Sequence, residues 1–358
     1  LEDGRLVSGA TLAHFGDVAW SVDFNAEGGF LGASSEAGIV QVWDVRGDIP
    51  IAISRIERGE DVLSVALSND GRSLVAGTGS GTIFSWDIEA GREMFPTIDS
   101  VHESDILKLT FSPDGSRFVF VTSDGNSAMY SYPEAEKLAD LFESHGLIRS
   151  AVFDRTGAYV VGGGDDGNLV FQSVANMELH DQSVAGHIGP VSDVELGGGI
   201  HHLESLGRDQ NLQQWTVFEP VPMARSRATG DSARGVAVSR DGRIVAAADI
   251  SGAIFVWREA ATEPQVLRGH DGQVWSLAIS EDGGSILSAD RLGEIRQWSL
   301  TTGDSTVLAE TDEDSIWWVG YTQDSTLVVA ASNLGVEFFS LALETKAPEA
   351  IASSVALM

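Results

Sequence analysis

The chain of 358 residues has no cysteine, which excludes a disulfide framework and a thiol nucleophile. Lysine is nearly missing, with Lys108, Lys137 and Lys346 as the only three. Acidic residues number 53 against 22 basic ones, for a formal net charge of −31. A polyanion of this kind repels a phosphate backbone, so no nucleic-acid partner is expected, and an anionic membrane surface is disfavoured for the same reason. Long apolar runs are absent too. Stretches such as "IVAAA" and "LVVAA" fall far short of the roughly 20 residues that a spanning helix needs, so membrane insertion is not expected. The chain opens on Leu1 with no charged-then-apolar signal before it. That beginning suits a processed product or a piece of a longer chain with a covalent upstream domain. A soluble, cytoplasmic placement is the expectation.

What the chain does contain is a repeat, the first thing to seek in a chain of this length. The stretches "EAGIVQVWDVRG" (36–47), "SGTIFSWDIEAG" (80–91), "SGAIFVWREA" (251–260) and "LGEIRQWSLTTG" (292–303) each read glycine, alternating apolar residues, then tryptophan. The same column holds Trp43, Trp86, Tyr130, Gln172, Trp215, Trp257, Trp298 and Ser340, at spacings of 43, 44, 42, 43, 42, 41 and 42. Each unit also carries an apolar alternation ending in a turn such as "LSNDGRS", "FSPDGSR", "VSRDGRI" or "ISEDGGS". Asp-Gly between alternating segments signals a hairpin. A second strand, a glycine-bearing turn, the tryptophan strand and a more polar outer strand follow. No helical period competes, so four short strands per unit are predicted.

This grammar resembles the WD-repeat β-propeller family, whose pattern is Gly-His, an apolar triplet, a Pro-Asp-Gly-type turn, an Asp-Gly turn and Trp-Asp. Gly-His is kept at His187 and His270, and a lone histidine at His14, His102 and His145. The turn aspartate is kept at Asp124, Asp166 and Asp209, and Trp-Asp only at Trp43-Asp44 and Trp86-Asp87. The resemblance implies one all-β domain over 1–358, an eight-bladed β-propeller of four-stranded antiparallel blades, with seven blades as the alternative. The approximate repeats are 14–47, 57–91, 102–137, 145–177, 187–219, 230–260, 270–303 and 313–342. Residues 4–13 are expected to close the last blade as its outer strand, leaving 343–358 as a C-terminal tail that competes for the same role. With so many repeats degenerate, the family's buried His–Asp–Ser–Trp network is not expected in most blades.

No active site emerges. "GTGSGT" (77–82) and "GGGDDG" (162–167) occupy the repeated turn, with no helix behind them to bind phosphate. His201 and His202 are strand neighbours that diverge. Asp312, Glu313 and Asp314 lack the ligand spacing of a calcium loop. No Gly-x-Ser-x-Gly elbow occurs. A non-enzymatic chain with no cofactor and no metal is the expectation.

The first strands of the units align into a column of Trp20, Leu63, Leu107, Arg149, Ser192, Arg234, Trp275 and Trp317. A second column, two residues before the glycine of the next turn, reads Glu36, Gly79, Ser123, Asp165, Arg208, Ile250, Arg291 and Asn333. By resemblance, both columns lie on the top face beside the central channel, where such propellers commonly contact partners. The residues singled out are Trp20, Leu63, Leu107, Trp275 and Trp317 as an apolar arc, and Arg149, Arg208, Arg234 and Arg291 as a basic arc. They would receive a protein or peptide that carries an apolar anchor beside an acidic or phosphorylated residue. The implied function is that of an interaction scaffold or sensor domain, as in bacterial-type WD-repeat chains. The alternative is a structural subunit of a stable assembly, contacting neighbours through blade sides. The same tryptophans suit a second role, filling a wide channel, because each one buried is worth about 4–6 kcal/mol. Trp318, outside the column, is expected to pack between blades.

Overall fold

The computed structural model describes residues 13–14, 18–47, 50–99, 104–142, 147–175, 182–196, 202–209, 211–216, 223–228, 233–258, 263–310, 315–322, 325 and 327–341. The closing segment 4–13, apart from its last residue, and the tail 343–358 lie outside these. Every regular element among the described residues is a strand, and the strands form eight four-stranded antiparallel sheets. Blade 1 runs Ala19–Phe24, Phe30–Ser35, Ile39–Asp44 and Ile51–Glu57 in simple sequence order. Blades 2 to 7 repeat this with first strands Val62–Leu67, Ile106–Phe111, Ile148–Phe153, Val191–Leu196, Ala233–Val238 and Val274–Ile279. Blade 8 begins with Ile316–Tyr321, and its outer strand is Ala13–His14, paired to Val336 and Gly335.

A blade this thin buries nothing alone. Successive side chains on a strand face opposite ways, so each blade must find a neighbour on both sides. The apolar cores accordingly lie at the blade boundaries, eight clusters for eight boundaries. Ala19, Leu31 and Trp43 of blade 1 share one cluster with Val329, Ala331, Val336 and Phe338 of blade 8, which closes the ring at eight. The second strands are among the most enclosed elements. All six residues of Ser73–Thr78 are buried, as are all six of Ile244–Asp249.

The turns are built from the side chains that the sequence repeats. In the Asp-Gly turns, Ser68, Ser112, Ser239 and Ser280 donate a hydroxyl hydrogen bond to Asp70, Asp114, Asp241 and Asp282, at 2.6–2.7 Å. Those carboxylates also take the N–H groups of Arg72, Ser116, Arg243 and Gly284. The aspartates recur because the turn uses them. The following glycine is equally constrained: Gly71 has φ of +68°, and a Cβ there would sit 2.2 Å from the Phe30 ring of the preceding blade.

Among the described residues, two blades carry a complete buried polar network, and they are the two that keep Gly-His. In blade 5 the Trp215 indole N–H donates to Ser205 Oγ at 2.7 Å. An indole can only donate, so the serine hydroxyl is free to donate to His187 Nε2 at 2.8 Å, and Nδ1–H then donates to Asp209 at 2.9 Å. In blade 7 the chain is Trp298 to Ser288, Ser288 to His270 and His270 to Asp290, at 2.7, 2.6 and 3.0 Å. Blade 7 differs in one respect. Its aspartate comes from the end of the second strand, two positions before the column of Asp124, Asp166 and Asp209, where blade 7 has Leu292. Burial pushes both carboxyls up, but hydrogen bonds from backbone N–H groups and from the histidine hold Asp209 and Asp290 below their ordinary value. In blade 2, by contrast, the Trp86 indole nitrogen has no partner among the described residues. Trp298→Phe should therefore cost about 1–3 kcal/mol in urea unfolding, from the lost indole–serine hydrogen bond of a buried network, while Trp86→Phe should cost clearly less in the same measurement.

Candidate functional site

The first-strand column has a structural cause. In all eight blades the pairing between first and second strands slips by one residue at the same place. The unpaired residues are Trp20, Leu63, Leu107, Arg149, Ser192, Arg234, Trp275 and Trp317. Each is the extra residue of a β-bulge, and a bulge re-aims its side chain and bends the strand. The second column lies at the same end of the blades. The N–H groups of Glu36, Gly79, Ser123, Asp165, Arg208 and Arg291 donate to the carbonyls of Val18, Asp61, Asp105, Leu147, Pro190 and Gln273, each two residues before a bulge. The two columns therefore share one rim, here the top face.

Exposure along the rim is uneven. Trp20 is 46% exposed and Leu107 37%. Leu63, Trp275 and Trp317 are half-buried. Trp317 and Trp318 both pack against the cluster that joins blades 8 and 1. Trp318 meets Phe24 of blade 1 at a ring-centroid distance of 6.0 Å, so it fills the blade boundary. The turn after the second column adds side chains that the sequence reading did not single out. Leu292 of blade 7 is 63% exposed and Leu334 of blade 8 is 46% exposed. The corresponding residues in blades 2 to 6 are Ser80, Asp124, Asp166, Asp209 and Ser251. Blades 7, 8 and 1 thus present Trp275, Leu292, Trp317, Leu334 and Trp20 as neighbours. The signal was available in the same alignment, one residue beyond the second column. Ile188 of blade 5, 89% exposed, follows the network histidine, and its N–H is held by Asp209 at 2.8 Å.

Charge is uneven along the same rim, with one exposed acid, Asp271, on the side of the arginines. Over blades 1 to 4 the exposed residues include Glu36, Asp105, Asp124 and Asp166. Over blades 5 to 7 they include Arg208, Arg234 and Arg291. The arginines do not behave alike. Arg149 forks onto Asp165 of its own blade, with Nη2 at 3.0 Å and Nε also bonded, so its charge is met. Among the described residues no ion pair engages Arg208, Arg234 or Arg291. The basic arc is therefore three adjacent blades wide, and Arg149 belongs electrically to the acidic side.

Other chemistry is structural. Among the described residues, the grouping able to offer three ligand atoms to a metal is His270, Asp290 and Glu294. Its histidine belongs to the buried network, and Arg296 binds both oxygens of Glu294. A cavity of about 580 Å³ opens between blades 6 and 7 at the opposite end, beside Arg240, Arg258 and Glu281. Its arginines are occupied: Arg240 pairs with Glu281 at 2.6 Å and Arg258 donates to the Leu300 carbonyl at 2.5 Å. The stretches 77–82 and 162–167 are strand ends and tight turns. His201 and the acidic run at Asp312, Glu313 and Asp314 lie outside the described residues. No helix among the described residues is long and apolar enough to cross a membrane.

Comparison with known proteins agrees with this architecture. The model of the WD domain, G-beta repeat, matches residues 7–44, 54–87 and 262–299. These stretches end on or just after the repeated tryptophans of blades 1, 2 and 7. Apoptotic protease-activating factor 1 of Rattus norvegicus is 24% identical over 66% of this chain and 19% of its own length. Autophagy-related protein 16 of Arabidopsis thaliana is 24% identical over 80% of this chain and 56% of its own length. Eukaryotic translation initiation factor 3 subunit I of Candida glabrata is 27% identical over 41% of this chain and 46% of its own length. The chain thus spans between about a fifth and about half of these curated relatives. With the repeat model matched in three blades and the same four-stranded unit built eight times, the chain is an eight-bladed β-propeller similar to the WD-repeat proteins.

Proposed function

We propose that this propeller is a non-catalytic interaction scaffold or sensor domain that docks a partner protein or peptide on its top face. The observation that carries the reading is the concentration of apolar side chains on the rims of blades 7, 8 and 1. Isolated apolar side chains on a surface need no explanation, but contiguous ones mark interaction sites. Trp20 and Leu292 stand out of the rim, at 46% and 63% exposure, where internal packing leaves them unused. Tryptophan and arginine dominate binding hot spots, and loss of one often costs about 2 kcal/mol or more. The three unpaired arginines lie alongside, in a protein of net charge −31. They suit a segment with an apolar anchor and, a few residues away, an acidic or phosphorylated side chain.

Trp20→Ala combined with Arg234→Ala should abolish capture of a partner from the native source, and change unfolding free energy by less than about 1 kcal/mol, as for exposed positions generally. Retained capture, or a double variant that unfolds, would sink the docking face.

A second reading, a subunit of a stable assembly, has one observation in its favour. The outer strand of blade 1, Ile51–Glu57, leaves Ile51 58% and Ile53 40% exposed on an open sheet edge. If blade sides mediate assembly, light scattering at micromolar concentration should give a mass well above 38.0 kDa, and Ile51→Lys with Ile53→Lys should return it to one chain. A monodisperse single chain in the wild type counts against assembly and leaves the top face as the working surface.

A further inference from the structure

The eight first strands enclose the centre of the ring, and in most blades the residue after the bulge links one first strand to the next. Ser21, Ser64 and Ser276 accept the N–H groups of Val65, Leu109 and Val319 on the next blade, at 3.2, 3.0 and 3.0 Å. These are neutral stitches. Blades 3, 4 and 5 replace them with a charged one. Lys108 of blade 3 donates to Ser150 of blade 4 at 3.2 Å and to Asp193 of blade 5 at 3.3 Å, and Ser150 donates to Asp193 at 2.9 Å. One of only three lysines in the chain thus spans three blades from inside.

Two residues further along their strands lie two more carboxylates. Asp23 of blade 1 takes the N–H of Leu67 at 2.8 Å. Glu195 of blade 5 receives no hydrogen bond among the described residues. The matching positions elsewhere are Ala66, Thr110, Val152, Ala237, Ala278 and Gly320, all neutral. The ring centre therefore sets three carboxylates, Asp23, Asp193 and Glu195, against one ammonium, and that ammonium is committed to Asp193. Glu195 has a further acid at its back. Its register partner is Glu204, fully buried, whose Oε1 accepts the Gln214 amide at 3.2 Å. Beyond Gln214, the register continues to Arg225.

We propose that Asp23 and Glu195 form a proton-operated lock at the ring centre, loosening the inner strands when both are ionised and tightening them when both are neutral. The proposal does not depend on what docks above. Its basis is the shortage of positive charge, since two half-buried carboxylates in a crowded acidic ring centre, with neither a cation of their own nor a full set of donors, favour the protonated form. Burial pushes Asp23 up from 3.8 to about 7, against the pull of the Leu67 N–H and of Lys108. Burial and then the Asp193 charge push Glu195 up from 4.5 to about 7, against Lys108. The Lys108 ammonium is opposed by burial, but Asp193, Glu195 and Asp23 hold it above its ordinary value.

The sign follows from linkage. A carboxyl whose folded pKa is raised holds a proton that the unfolded chain releases, so stability falls as pH rises between the unfolded and folded values. Here the fall is spread from about pH 4 to about pH 7 and is complete above that. The general self-repulsion of an acidic chain acts in the same direction, so the comparison must be with a variant. Asp23→Asn with Glu195→Gln removes two charges out of a net 31. Its thermal midpoint should exceed the wild type's by several degrees at about pH 8, and the gap should close by about pH 5. Parallel curves for the two proteins would overturn the proposal. Should the variant not fold, carboxyl-carbon NMR of the wild-type protein decides. Midpoints near 7 for Asp23 and Glu195 support the lock, and midpoints below about 5 overturn it. Lys108→Met supplies the second control. With the cation gone, both carboxyl midpoints should move up, whereas unchanged midpoints would mean that the cluster does not act as a unit.

Discussion

Everything in this molecule depends on the inability of a single blade to bury its own two faces. Four strands in one sheet expose apolar side chains on both sides, so each blade is stable only between neighbours. The cores lie at the boundaries and not within the sheets, and a row of such units has two sticky ends unless it closes on itself. Closure is achieved where Trp43 of blade 1 meets Phe338 of blade 8, ring centroids 5.8 Å apart, and where Ala13–His14 supplies the last blade's outer strand. Trp318 belongs to the same seam. Its bulk against Phe24 does there what smaller side chains do at other boundaries.

The bulge in every first strand connects this packing requirement to the surface. By inserting one unpaired residue, it turns one side chain per blade toward the rim and leaves the next residue to tie the blade to its neighbours, as Ser21, Ser64, Lys108, Ser276 and Trp318 do. Adjacent residues therefore have unrelated duties. Trp317 borders the top face while Trp318 holds two blades together, and Leu107 is exposed while Lys108 ties three blades from within. Exposed rim and packed interior are interleaved one residue apart, which is why a substitution here has to be read by its place relative to the bulge and not by its neighbours in sequence.

Charge is distributed with the same economy. Many of the acids are consumed locally, in Asp-Gly turns, in the two histidine networks and in the pair with Arg149. Among the described residues, Glu36, Asp105, Asp124 and Asp166 are exposed on the rim over blades 1 to 4 and Arg208, Arg234 and Arg291 over blades 5 to 7, with Asp271 of blade 7 an exposed acid among the arginines. The blade 7 network shows how such assignments shift. Because Asp290 serves His270 from the strand end, the turn position two residues on is released from polar duty, and a leucine stands there exposed among the tryptophans.

The sequence by itself determined the repeat, the four-stranded unit, the number of blades and the membership of the two residue columns, because each follows from spacing and from alternation along one strand, which are local properties, while the place of those columns on one rim was implied by the family resemblance. It also located the Asp-Gly turns and assigned their aspartates to turn geometry. Only the tertiary structure decided how exposed each rim residue is, that Arg149 is neutralised by Asp165 while Arg208, Arg234 and Arg291 meet no ion pair among the described residues, and that Leu292 and Leu334 stand exposed on the same rim. It alone revealed the bulge, since a bulge is a relation between two strands and has no signature in either. The Lys108–Asp193 link joins residues 85 positions apart. No period along the chain reports it, because it exists only when the ring has closed and brought those blades around a common centre.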